Sequence, residues 1–202
     1  MRNIVTRLAL AALLLTSSAA LAHAETTGAT QFMEARQTAV NSVLNKKGKP
    51  DAEALGREID TLLDYEGLSR SALRDHWDAR TPTERSEFVG LLKQLVERSY
   101  KKNLRSTLGY DIRYLGEDTD ELGTVVKTRA KSTTHKREPA ITIDYTLHKV
   151  DGQWRVIDIT TDGVSMVRNY RSQFNRILRK DGWADLIQRM QDRLENESES
   201  GV

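Results

Sequence analysis

The hydrophobic pattern changes period twice along the chain. From Phe32 to Leu95 apolar residues recur every three or four positions. From Tyr110 to Ile159 they alternate with polar ones, and after Gly163 the helical spacing returns. The first stretch, "QFMEARQTAVNSVL", sets Phe32, Arg36, Ala39, Val40 and Val43 on one helical face and is broken by "KKGKP". Leu55, Ile59, Leu62 and Leu63 form the next stripe, followed by Leu73, His76 and Trp77. In "TPTERSEF", Thr81 is a good N-cap, Pro82 suits the first helical position, and Glu84 completes a capping box. Phe88, Leu91, Leu92 and Leu95 then predict the apolar stripe of that helix.

The middle of the chain reads as a sheet. Tyr110, Ile112 and Tyr114 alternate; "TVVKTRAKS" is a strand with a less clean face. Ile141, Ile143, Tyr145 and Leu147 alternate against Thr142, Asp144, Thr146 and His148. Asp151-Gly152 is a tight hairpin turn, and the returning strand carries Ile157 and Ile159 on one face. Three or four antiparallel strands with one apolar face follow. Val167, Tyr170, Phe174, Ile177 and Leu178 share the face of a later helix that Gly182 ends, and Ile187, Met190 and Leu194 mark a last one. The order predicts an α+β domain: N-terminal helices, a small curved antiparallel sheet and C-terminal helices that together enclose an apolar cavity.

Composition changes this picture at the two ends. "MRNIVTR", the apolar run "LALAALLL" and the small-x-small end Ala22-His23-Ala24 read as a secretory signal cleaved after Ala24. The run is too short to span a bilayer comfortably. Residues 25–194 form one domain, and the acidic end 195–202 reads as a flexible tail. The signal carries two arginines and no acid, so its loss brings 31 basic side chains to 29, equal to the 29 acidic ones. A nucleic-acid binder would show a basic excess. The chain has no cysteine, which removes disulfides and thiol chemistry.

Candidate chemistry is sparse. Ser165 follows Gly163 at a strand-to-helix corner, where a hydrolase places its nucleophile, but the second glycine of G-x-S-x-G is missing. A hydroxyl capping the following helix accounts for it better. His76, His135 and His148 lack ligand spacing, and Asp118, Asp120 and Glu121 lack a full calcium-binding ladder. No metal and no cofactor are implied. Asp144, Tyr145 and Asp158 would be the acid and phenol of a small pocket enzyme, although both carboxylates fall on the polar side of the alternation and read as solvated. "KSTTHKREP" reads as a charged loop between two strands.

The C-terminal half resembles the MlaC-type family, also called toluene-tolerance periplasmic proteins. Trp154, Asp158, Gly163-Val164-Ser165, Asn169-Tyr170-Arg171, Gln173-Phe174, Gly182 and Asp185-Leu186-Ile187 carry the resemblance. Trp77 and Phe88 extend it into the helical half, so that it covers roughly Asp51 to Leu194; Leu68, Ser69 and Arg70 depart from the family pattern. The resemblance implies a periplasmic carrier of phospholipid, with two acyl chains, and no enzymatic step. It implies as partners an outer-membrane lipoprotein complex and the inner-membrane MCE-domain component of an ABC transporter, in a system that maintains outer-membrane lipid asymmetry. A hopanoid-related lipid is the alternative cargo, and a pocket enzyme acting on an apolar substrate the alternative function. A carrier must sheathe apolar tails, and the candidate lining is Trp77, Phe88, Leu91, Leu92, Ile143, Tyr145, Ile157, Val164, Met166, Val167, Tyr170 and Phe174.

Overall fold

The computed structural model describes residues 28–45, 51–107, 109–135 and 137–199. The segment read as an export signal lies outside the described residues. The helices α1 (Ala29–Leu44), α2 (Ala52–Leu62), α3 (Tyr65–Leu73), α4 (Asp75–Asp78) and α5 (Pro82–Thr107) precede the sheet. Strands β1 (Tyr110–Thr119), β2 (Thr124–Ser132), β3 (Ile141–Val150), β4 (Gln153–Thr161) and the two-residue β5 (Val164–Ser165) follow, then α6 (Met166–Lys180) and α7 (Gly182–Glu199). The last helix therefore continues into the segment read as a tail. The strands pair in chain order, all antiparallel, in one open sheet.

Local signals set most element ends. Thr81 and Glu84 form the capping box: the Glu84 N–H donates to Thr81 Oγ1 at 3.2 Å and the Thr81 N–H donates to Glu84 Oε2 at 2.8 Å. Asp51 caps α2 and Asp64 caps α3. Gly67 is required by a close approach, since a Cβ there would lie 2.3 Å from the Asp64 carboxylate. Asp151 and Gly152 both have positive φ, as a two-residue hairpin demands. The stripe of α1 is rotated from its predicted face: Met33, Val40, Val43 and Leu44 are buried, while Phe32, Arg36 and Ala39 are half-buried. The seven-residue step from Met33 to Val40 is what faces the sheet.

A bulge on β4 decides the two faces of the sheet. Tyr145 pairs with Ile159 and Thr146 with Asp158, but Leu147 pairs with Val156, leaving Ile157 as the extra residue. Val156 and Ile159 thereby share the inner face with Tyr145 and Leu147. Ile157, predicted beside Ile159, instead packs against α3, where its Cγ2 lies 3.2 Å from the position of a Cβ at Gly67. The core lies between the inner face and the helices, with Val126, Leu147, Val156 and Phe88 fully enclosed. Phe88 meets Phe174 edge-on at 5.4 Å and Trp183 at 5.8 Å, which ties α5, α6 and α7 together.

Asp158, read from the sequence as a solvated carboxylate, is 5% exposed. The bulge turns it under the start of α6, where its donors are waiting. Its Oδ1 accepts from the Ile159 N–H at 2.8 Å and the Val167 N–H at 3.0 Å, and its Oδ2 accepts from Ser165 Oγ. Ser165 Oγ in turn accepts from the Arg168 N–H at 3.0 Å, as an N-cap does. Gly163, at φ +82°, supplies the left-handed turn before it.

Removing one hydroxyl from this corner differs from removing its anion. Ser165→Ala is expected to cost about 1 kcal/mol. Asp158→Ala strands buried donors and is expected to cost on the order of 3 kcal/mol. Chemical denaturation of the two variants beside the parent checks the ranking; equal losses would show that Asp158 does not organise the corner. A second expectation concerns acid. The Thr81 backbone N–H, and then its hydroxyl, hold the Glu84 carboxyl below the usual carboxylate range. A lowered folded-state value means that the contribution is complete above about pH 4.3, the ordinary glutamate value, and is lost as pH falls through the folded value below it. Glu84→Gln should therefore show a smaller fall in Tm than the parent on acidification from about pH 5 to pH 3.

Candidate lipid groove under the first helix

The inner face of the sheet is sealed unevenly. Val126, Leu147 and Val156 are fully buried, whereas Ile112, Ile143, Tyr145 and Ile159 on the same face are half-buried. Apolar side chains left part-open are what a binding wall looks like, since a finished core would cover them. A groove of about 90 Å³ runs between this wall and α1. Met33 and Val40 of α1 and Leu62 of α2 supply its apolar roof, and Tyr114 stands at its β1 side.

Besides the buried stripe of Met33, Val40, Val43 and Leu44, polar ties hold the edges of α1 over the wall. Tyr114 Oη donates to Gln37 Oε1 at 2.7 Å, and the Thr30 N–H donates to Glu117 Oε1 at 2.7 Å. The Arg36 guanidinium reaches Glu58 at 3.3 Å and Thr61 Oγ1 at 3.0 Å on the α2 side and lies over the Phe32 ring. Hydrogen bonds of this kind, part-exposed, contribute about 1 kcal/mol each because water competes for both partners. The helix is thus fixed at its edges by exchangeable contacts.

The candidate lining residues divide into three groups. Ile143 and Tyr145 stand in the groove. Trp77, Phe88, Leu91, Leu92, Ile157, Val167 and Phe174 are buried, and Met166 and Tyr170 are partly buried against the same core. Tyr170 stacks on Phe174 at 5.6 Å, and the guanidiniums of Arg70 and Arg85 lie 5.5 and 5.2 Å from the centre of the Trp77 ring. Val164 is 64% exposed at the rim of the α6 corner, away from the groove. Sequence reasoning missed Ile112, Ile159, Met33, Val40 and Leu62. The alternation of β1 and β4 and the Met33–Val40 step were the available signals.

The other candidate chemistry finds structural employment. Asp144 and Asp158 share the sheet face opposite Tyr145, so no acid–phenol pair forms. Ser165 is engaged as a cap, and His148 bonds Asp64 at 2.7 Å in a different corner. Asp118 pairs with Lys127 at 2.9 Å, and Asp120 accepts the N–H groups of Leu122 and Gly123. Among the described residues, no group of three His, Cys, Asp or Glu is arranged to hold a metal ion. No helix among them is long and apolar enough to cross a membrane.

Known proteins resemble this chain in sequence or in fold. The toluene tolerance protein ttg2D of Pseudomonas putida is 23% identical over 170 residues, 77% of each chain. A phospholipid-binding protein from Ralstonia solanacearum, solved in complex with a phospholipid, has the same fold. Its TM-score is 0.72 at 20% identity, covering 85% of this chain and 99% of that one. The family model described as MlaC protein matches residues 32–192. With most of the chain matched, from α1 into α7, the protein belongs to the MlaC family.

Proposed function

We propose that this protein is a periplasmic phospholipid carrier, which sheathes acyl chains in the groove between α1 and the inner face of the sheet. The observation that carries the reading is the half-open apolar wall of Ile112, Ile143, Tyr145 and Ile159 beneath a helix held by polar ties. Family membership and the phospholipid in the Ralstonia solanacearum relative support it. So does the export signal read at the N-terminus. The carrier shuttles lipid between the outer and inner membranes as part of an Mla-type ABC transport system, handing it between an outer-membrane lipoprotein complex and an MCE-domain component.

Magnitudes support a sheathing role. Each methylene withdrawn from water is worth about 0.8 kcal/mol, so a diacyl lipid with roughly thirty methylenes resists exposure by on the order of 20 kcal/mol. Crossing an aqueous gap requires that both tails be covered. Small-molecule sites run to about 300–1,000 Å³, and the 90 Å³ groove falls well below that. Loading therefore widens the groove. The polar contacts at the edges of α1 give way at little cost, and the apolar contacts of its buried stripe, Met33 and Val40 among them, are replaced by contacts with the tails.

Purified mature protein is expected to carry about one diacyl phospholipid per chain, visible as added mass in native mass spectrometry. Ile143→Asp, which sets an unpaired carboxylate in the wall, should abolish loading in a folded protein, while Asp144→Asn on the opposite face leaves it intact. Protein that is lipid-free and takes up none from donor vesicles would overturn the carrier reading. The widening step has its own check, made simple by the absence of native cysteine. Cysteines at positions 37 and 114, bridged by a short thiol crosslinker, should block uptake, and reduction of a cleavable linker should restore it. Uptake at the parent rate while bridged would show that α1 stays in place.

A further inference from the structure

A second pocket, of about 350 Å³, lies on the outer face of the sheet. It is separated from the groove by the sheet itself: Thr146, Asp158 and Thr160 line it, and these alternate with the Tyr145 and Ile159 of the inner wall. Three arginines converge on it from two places in the chain: Arg74 from the α3–α4 junction, and Arg168 and Arg171 from α6.

Their state is unusual for surface arginines. Arg171 is half-buried and gives its Nε and Nη2 to the carbonyl oxygen of Ser71, at 3.0 and 2.7 Å. A carbonyl carries no countercharge. Burial lowers the pKa of its guanidinium, and the neighbouring charges of Arg74 and Arg168 act in the same direction. The nearby acid is Asp158, whose two oxygens are committed to the α6 corner. Among the described residues, the side chains of Arg74 and Arg168 make no hydrogen bond or ion pair.

Arg74 adds a backbone observation. It sits at φ 46°, ψ −119°, a conformation that suits glycine and strains a residue with a side chain. Its backbone N–H donates to Arg70 O and its carbonyl accepts from the Trp77 N–H, both at 2.8 Å, so the turn is fixed. Glycine would serve that turn better, and arginine stands there with a side chain that makes no hydrogen bond or ion pair among the described residues. The hydroxyl of Thr146, 5% exposed, is likewise without a hydrogen-bond partner among the described residues. Asp120 turns its carboxylate into its own loop, which leaves Glu121 as the acid on the rim without an ion pair among the described residues.

We propose that this outer pocket is a phosphate-binding site, in which Arg74, Arg168 and Arg171 take the oxygens of a phosphate group and Thr146 and Thr160 add hydroxyl donors. Three planar guanidiniums with two hydroxyls match the acceptor-rich surface of a phosphate, and an anion relieves the mutual repulsion of the cations. The phosphate comes either as the free ion or as the diester of a phospholipid headgroup. In both cases the site is distinct from the groove that takes the tails.

Titration of the full mature protein with inorganic phosphate, and separately with glycerophosphoglycerol, a headgroup without tails, tests this. Neither probe fills an apolar groove, so the outcome is independent of lipid carriage. Saturable binding of at least one probe is expected, and which of them binds tells the free ion from the headgroup. Arg168→Gln should weaken it roughly tenfold or more, Glu121→Gln should tighten it, and Arg113→Gln on β1 should leave it unchanged. Arg74→Gly should weaken binding and at the same time raise Tm, a pair of signs that a structural role for the side chain cannot produce. Absence of binding by both probes, or binding indifferent to Arg74→Gly and Arg168→Gln, would overturn the proposal.

Discussion

Asp158 is a buried anion that accepts hydrogen bonds from two backbone N–H groups and one hydroxyl, and the arrangement of the C-terminal half follows from it. A carboxylate under the first turn of α6 satisfies donors that a helix start leaves free, and the positive end of the helix favours its charge. For the carboxylate to arrive there, β4 must carry an extra residue. The bulge at Ile157 supplies it, and in doing so delivers Val156 and Ile159 together to the inner face and Ile157 to α3. One local irregularity thus fixes the entry of α6, the composition of the inner wall and the docking of α3. The motif residues Asp158, Gly163 and Ser165 belong to this corner, which explains why a serine after a glycine here is architecture.

The helices divide the labour around that frame. The rings of Phe88, Phe174 and Trp183 lock α5, α6 and α7 into one body. Over the inner face of the sheet, α1 lays a buried stripe of Met33, Val40, Val43 and Leu44 and is tied at its edges by polar contacts. The inner face is closed at Val126, Leu147 and Val156 and half-open at Ile112, Ile143, Tyr145 and Ile159. A container for acyl chains needs both conditions, a rigid part to keep its shape and a roof whose contacts water can replace.

The two faces of the sheet also differ in chemistry. The inner face is apolar and opens toward α1. The outer one carries threonines and the buried aspartate, with arginines converging from α3 and α6. Alternation along the strands imposes this separation, because neighbouring residues point to opposite sides.

The sequence by itself determined the kinds of elements and most of their ends. The change of period separated helices from strands, and Thr81 with Glu84, Asp151-Gly152 and Ser165 are local devices whose geometry depends on neighbours a few residues away. The MlaC-type resemblance was legible in the residues around Asp158 for the same reason, since that corner is built from a contiguous segment. Tertiary structure alone decided which apolar residues form a wall and which form the core. A stripe such as Phe88, Leu91 and Leu92 reports that a helix face avoids water, and it is the same whether tails or other helices cover it. Periodicity also counts residues one at a time, so it cannot register a bulge. That is why Ile157 was assigned to the face of Ile159 and Asp158 to solvent, when the extra residue and the start of α6, brought together only by folding, bury both.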